Sequence, residues 1–253
     1  MKRLLVSCLV ALALPAVAAA AGDVRLGYRL FGQYCVACHG VAGSGIPPAR
    51  VIGTGPEREP RQQLGLAPSL QGVGALAADF YLRTGYMPLA HVGLQPRRKP
   101  VGFDERQLQG LIAYVASLGP GPEVPTPHPE RGSLSEGMQL FTDRCAGCHQ
   151  VVAEGGYVTG ALPPPLKEAT PTQIVEAIRI GPYVMPRFST KALSPSQADS
   201  IVRYVEYAKH PDDRGGWAIG HVGPIPEGLV TWFFGMTVLV ACCVVIGRRF
   251  RHG

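Results

Sequence analysis

The chain has 253 residues, 46% hydrophobic and 17% charged, with a mean hydropathy of +0.12. That balance excludes a disordered chain and allows one to three domains. The 32 glycines and 24 prolines make up about a fifth of the residues, short of the roughly 25–30% of low-complexity sequence, so loop-rich folded domains are expected. The 24 Lys+Arg exceed the 18 Asp+Glu, but Lys2, Arg3, Arg248, Arg249 and Arg251 stand at the two ends. The body between them is close to neutral and has no basic stripe interleaved with aromatics, so no nucleic-acid partner is expected.

Residues 1–22 open with Met1-Lys2-Arg3, continue uncharged from Leu4 to Gly22 and become alanine-rich after Pro15. A basic start, a short apolar core and Ala-x-Ala triplets describe an export signal, with a retained N-terminal anchor as the alternative. Either way the chain after Asp23 is expected outside the cytoplasm.

The first unit of the exported part, residues 23–118, carries Gly27-Tyr28-Arg29-Leu30-Phe31 and then Cys35-Val36-Ala37-Cys38-His39. Residues 134–210 repeat the pattern with Gly137-Met138-Gln139-Leu140-Phe141 and Cys145-Ala146-Gly147-Cys148-His149 at the same spacing. Arg83-Thr84-Gly85-Tyr86-Met87-Pro88 is echoed by Arg179-Ile180-Gly181-Pro182-Tyr183-Val184-Met185-Pro186. Each copy closes on a helical pattern, through Tyr114-Val115 and Tyr204-Val205. Asp104-Glu105 precedes the first of these helices, and Ser194-Pro195 opens the second. A repeat of this length means two duplicated domains rather than a solenoid. Residues 119–133 join them, and the five prolines between Gly119 and Pro129 predict an extended, semi-rigid linker.

Residues 211–228 read as a tether to Leu229–Gly247, a 19-residue run without a charge. At 1.5 Å per residue it spans about 28 Å, the thickness of a bilayer core. Trp232, Phe233 and Phe234 sit at its start, and the basic tail 248–253 follows, which predicts a single-pass helix with the tail cytoplasmic. Cys242 and Cys243 fall inside this run, and Cys8 inside the N-terminal one. The exported part therefore holds Cys35, Cys38, Cys145 and Cys148 alone.

In C-x-x-C-H both thiols add to the vinyl groups of haem and the histidine becomes an axial iron ligand. Zinc, a thioredoxin-like redox pair and plain disulfides compete with this reading. The two pairs lie too far apart for a zinc ribbon, no βαβ pattern surrounds them, and the adjacent histidine together with the paired downstream methionines fits none of the three. Two covalently bound haem c groups are expected, on Cys35 and Cys38 with His39, and on Cys145 and Cys148 with His149. Met87 and Met185, each followed by a proline that keeps its loop out of helix, are the expected sixth ligands. His91 competes with Met87. Met138 is expected in the core of its helix, as are most of Tyr81, Tyr86, Tyr114, Tyr183 and Tyr204. Arg83 and Arg179, upstream of the methionines, suit either haem propionates or the surface.

Two such domains and a C-terminal anchor resemble the dihaem cytochrome c subunit, cytochrome cc, of the actinobacterial-type cytochrome bcc (bc1-type) menaquinol–cytochrome c reductase. The resemblance rests on Ala67-Pro68-Ser69-Leu70-Gln71-Gly72-Val73-Gly74 leading to Thr84-Gly85-Tyr86-Met87-Pro88, and on Gly223-Pro224-Ile225-Pro226-Glu227-Gly228 entering the membrane run. The stretch from Ala42 to Leu66 departs from it, being longer and richer in Pro and Arg. The resemblance implies a mainly α fold of two tandem class I cytochrome c domains plus one C-terminal transmembrane helix. It also implies an electron-transfer subunit of a quinol–cytochrome c oxidoreductase, with no substrate chemistry of its own. The implied partners are a cytochrome b subunit, a Rieske iron–sulfur subunit as donor and a haem–copper oxidase as acceptor, in the cell membrane. A free-standing membrane-anchored dihaem carrier and the cytochrome subunit of a periplasmic dehydrogenase are the alternatives.

Overall fold

The computed structural model describes residues 24–46, 67–89, 95–211 and 224–251. The expected export signal, His91 and most of the Ala42–Leu66 stretch and of the tether lie outside the described residues. Helices build the fold. In chain order they are α1 (24–34), α2 (Val36–His39), α3 (Gly74–Arg83), α4 (Glu105–Ser117), α5 (Leu134–Arg144), α6 (Ala146–His149), α7 (Pro171–Ile180), α8 (Pro195–Lys209) and α9 (Pro224–Arg251). Among the described residues β structure is limited to two isolated bridges, Ile46 with Ala67 and Val158 with Ala161.

The described chain forms two compact units, one running to Pro127 and including Thr170–Ser194, the other comprising His128–Ala169 and the residues from Pro195 onward. In the first, α1 crosses α4 where both backbones are bare. A methyl built at Gly27 would overlap the Gly110 carbonyl and stand 2.7 Å from Tyr114 Cβ. That close approach lets the Phe31 and Tyr114 rings meet at 5.1 Å. α4 buries Leu108, Leu111, Ile112 and Val115, the spacing of one helix face, against Leu30, Phe31 and Ala78. Its start is fixed by a capping box: Asp104 accepts from the Gln107 amide and the Gln107 side chain accepts from the Asp104 amide. Such a cap is worth about 1 kcal/mol.

The second unit repeats the crossing with α5 and α8. A methyl at Gly137 would overlap the Ser200 carbonyl and stand 3.0 Å from Tyr204 Cβ, and the Phe141 and Tyr204 rings lie 5.3 Å apart. α8 buries Ala198, Ile201, Val202 and Val205, the same face as α4. The start of α5 is pinned to α8 by Ser200, whose hydroxyl accepts from the Ser133 amide and donates to Glu136.

The linker is seated on both units. The Leu76 amide donates to the Pro122 carbonyl in the first. The His128 amide donates to Asp199 on α8 in the second. α7, although it belongs to the second sequence repeat, packs against α3 in the first unit.

α9 is a single helix whose segment Gly228–Phe250 is long and apolar enough to cross a membrane. At 23 residues it reaches about 35 Å. Its large apolar side chains, Trp232, Phe233 and Phe234 among them, are exposed along its length, as lipid contact requires. It is consistent with a membrane anchor.

Candidate haem sites

Each cysteine pair sits at the start of a one-turn helix that follows directly on the long N-terminal helix of its repeat. The Cys35 amide donates to Phe31, and the Cys145 amide to Phe141, so each core aromatic anchors the first cysteine one turn on. Cys35 and Val36 pack on the core of the first unit while Cys38 is exposed. Cys145 is likewise half-buried and Cys148 exposed. All four are free thiols, so neither pair forms a disulfide. Burial, more than the neighbouring thiol, pushes Cys35 up to about 11, and burial likewise raises Cys145 to about 11. A thiol–disulfide redox centre needs the opposite, a depressed thiol. Nor do three His, Cys, Asp or Glu side chains gather anywhere among the described residues to hold zinc.

The histidines are oriented alike. His39 Nδ1 lies 3.1 Å from the carbonyl oxygen of Pro68, and His149 Nδ1 lies 3.1 Å from that of Pro164. A carbonyl only accepts, so Nδ1 carries the proton and Nε2 is left as the free lone pair, the arrangement by which a ligating imidazole is fixed. Burial lowers His149 from its ordinary value and keeps the ring in the neutral, metal-binding form.

The turn after each histidine is the same turn built twice. The residue after the histidine has a positive φ, 73° at Gly40 and 60° at Gln150, and so does the residue three further on, 64° at Gly43 and 59° at Ala153. The Gly45 and Gly155 amides then donate back to the His39 and His149 carbonyls. The Leu70 and Leu166 amides donate to the Gly43 and Ala153 carbonyls, which holds each proline segment in place. A side chain at Gly45 would meet Pro68 at 2.9 Å, and one at Gly155 would meet Pro164 at 2.7 Å. Glycine is what lets the proline carbonyl reach the imidazole. Neither this glycine nor the proline was read from the sequence. The signal was there, as a continuation of the repeat into C-x-x-C-H-x-V-x-x-x-G and a later Pro-x-Leu.

The methionines lie in the loops that follow α3 and α7. The Met87 amide donates to Tyr81, and the Met185 amide to Pro182. Both side chains are half-buried and both following prolines are exposed. The two upstream arginines, expected at propionates or on the surface, are engaged elsewhere. Arg83 binds Asp79 through Nε at 2.8 Å and clasps Glu105 with two bonds of 2.7 Å. Arg179 directs Nη1 at the carbonyls of Phe188, Ser189 and Leu193, at 3.2, 3.2 and 2.8 Å. It thereby ties down the loop that carries Met185.

Met138, expected in the core, is 52% exposed. The inward face of α5 is taken by Gly137 and Phe141, and a residue next to Gly137 points about 100° away. Tyr28 stands in the same relation to Gly27 and is also exposed. Tyr86, Tyr114 and Tyr204 are core residues, whereas Tyr183 is exposed. Tyr204 adds a tether, its hydroxyl donating to the Val151 carbonyl at 2.8 Å just beyond His149.

Two free thiols and an imidazole oriented through Nδ1, brought together at one short helix, twice, make a donor set that suits covalent haem c. Comparison with known proteins agrees. Residues 24–119 match the family model for cytochrome c, and residues 132–205 the model for cytochrome c oxidase, cbb3-type, subunit III. The cytochrome bc1 complex cytochrome c subunit of Mycobacterium tuberculosis is 35% identical over 236 residues, 89% of this chain and 78% of the relative. That of Mycobacterium leprae is 34% identical over 249 residues, covering 93% and 80%. That of Corynebacterium diphtheriae is 31% identical over 246 residues, covering 89% and 81%. With identity at this level along nearly its whole length, the chain belongs to the family of cytochrome bc1 complex cytochrome c subunits.

Proposed function

We propose that the chain is a membrane-anchored dihaem electron carrier, a subunit of a quinol–cytochrome c reductase, relaying electrons from a Rieske iron–sulfur protein to a haem–copper oxidase. The observation that carries this reading is the duplicated turn in which a proline carbonyl fixes Nδ1 of the histidine beside a free thiol pair. Two equivalent sites in one tethered chain suit a relay better than a catalyst.

Cys35 with Cys38, and Cys145 with Cys148, would hold the two haems; His39 and His149 would offer Nε2, and Met87 and Met185 their thioether sulfur, as iron ligands. A c-type haem so held supplies one reversible electron at its iron. The protein's part is to orient each imidazole through its proline carbonyl, to hold each methionine loop in place, and to seat the first cysteine of each pair against the core while the second faces outward. Iron held by a histidine and a methionine together would leave no open position for a substrate, which suits an electron carrier. The basic end of α9, Arg248, Arg249 and Arg251, fits the cytoplasmic side, with both haem domains outside.

Purification of the full chain in mild detergent tests the reading. Cytochrome b, a Rieske protein and oxidase subunits should co-purify. Recovery of the chain alone would favour a free-standing carrier, and a dehydrogenase in their place would favour the third alternative; either result contradicts the proposal.

A further inference from the structure

Among the described residues, Glu176 on α7 is the one whose buried side-chain oxygens receive no hydrogen bond, and the residue has no exposed surface. The haem sites make no use of it. α7 packs on α3 within the first unit, and from α3 Glu176 meets Asp79, itself buried, with Arg83 behind it. Arg83 is already shared between two carboxylates, Asp79 and Glu105. On α7 itself Arg179 is spent on three carbonyls, and from the segment after residue 95 Arg98 donates to Gln173. Glu176 therefore faces an acid and has no base of its own.

Two buried carboxylates cannot face one another fully charged; one proton between them turns repulsion into a charge-assisted hydrogen bond. Arg83 decides which partner keeps the charge, because it pairs with Asp79. Glu176 is thus the acid that stays protonated, with a hydrogen to donate. Burial, and after it the charge of Asp79, push Glu176 up to about 9.

We propose that protonated Glu176, donating to the Asp79 carboxylate, fastens α7 to α3, and that its deprotonation loosens α7 together with the Met185 loop that leaves it. Glu176 is then a positioning residue for that loop, a consequence that matters for redox chemistry only on the reading that Met185 ligates haem. The direction in pH follows from linkage. A carboxyl raised on docking favours the docked helix fully below its ordinary value near 4.5. Docking then weakens about tenfold per pH unit as pH rises toward about 9, and levels off above it.

The test is amide hydrogen exchange of residues 171–193 in the full-length, haem-loaded chain in detergent, corrected for intrinsic rates, between pH 6 and 9. Wild-type protection should fall more than about tenfold from pH 7 to 9. Glu176→Gln, whose amide donates without titrating, should change less than about twofold over that range. Asp79→Asn, which removes the facing charge but leaves Glu176 buried, should make the fall shallower than in wild type, and serves if Glu176→Gln does not fold. A Glu176→Gln profile that superimposes on wild type overturns the proposal. The far-red methionine-to-iron band in Met185→Ala reports separately on ligation. Its persistence would remove the ligand reading while leaving the exchange result to judge the fastening.

Discussion

The twin helix crossings make the sharpest quantitative prediction, because α1 contains its own control. At Gly27 an added methyl overlaps the Gly110 carbonyl oxygen and lies 2.7 Å from Tyr114 Cβ, where carbon atoms ordinarily keep at least ~3.5 Å. Neither obstacle can rotate away, since one is backbone and the other a Cβ, so the helices must part by about 1 Å. Overpacking of that kind sits at the upper end of its range, about 3 kcal/mol. The better helix propensity of alanine returns up to about 1 kcal/mol. Gly27→Ala should therefore lose about 2 kcal/mol, a drop of about 10 °C in melting temperature for a unit of this size. Gly32, five residues on in the same helix, has nothing within 4 Å of a built methyl. Gly32→Ala should gain about 0.5–1 kcal/mol. Thermal unfolding of the detergent-solubilised chain, followed by Soret circular dichroism, compares the two. A Gly27→Ala protein as stable as Gly32→Ala would refute the argument that bare backbone contact sets this crossing.

Replacing Met87 or Met185 with alanine should abolish the far-red band of that haem and lower its potential, each without touching the other. Unchanged spectra in Met87→Ala would point to His91. Arg179→Gln should leave haem attachment intact but destabilise the Met185 loop, because hydrogen bonds from a charged group are worth about 1.5–3 kcal/mol each and three carbonyls share this one. The expected sign is loss of the Met185 band at lower denaturant than wild type. A band as durable as wild type's would mean that the loop is held by other contacts.

The parts of the site that the sequence revealed are those written in side chains at fixed spacing. C-x-x-C-H, the G-x-x-L-F lead-in, the Met-Pro loops and the 19-residue apolar run were all readable this way. What it hid is written in backbone. The carbonyls of Pro68 and Pro164 orient the histidines, yet an acceptor carbonyl is common to every residue and carries no side-chain signature. Their distances from the histidines also differ, 29 residues in one repeat and 15 in the other, because most of the extra length of the first repeat falls in that loop. The arginines misled for a related reason. Arg83 and Arg179 hold matching places before the methionines, but Glu105, from 22 residues away, claims one and three loop carbonyls claim the other. Met138 followed the helix period only approximately, and one residue of phase moved it from core to surface. Nothing in the sequence singles out Glu176. Only the packing of α7 on α3 buries it.

The central claim, that one chain carries two covalent haem c groups at Cys35–Cys38 and Cys145–Cys148, is tested most directly by counting haem on the denatured chain. The pyridine haemochrome of pure protein should give two haems per polypeptide, and replacing both cysteines of either motif with alanine should reduce the count to one. A wild-type count of one or none, or a count unchanged by either replacement, would contradict the account.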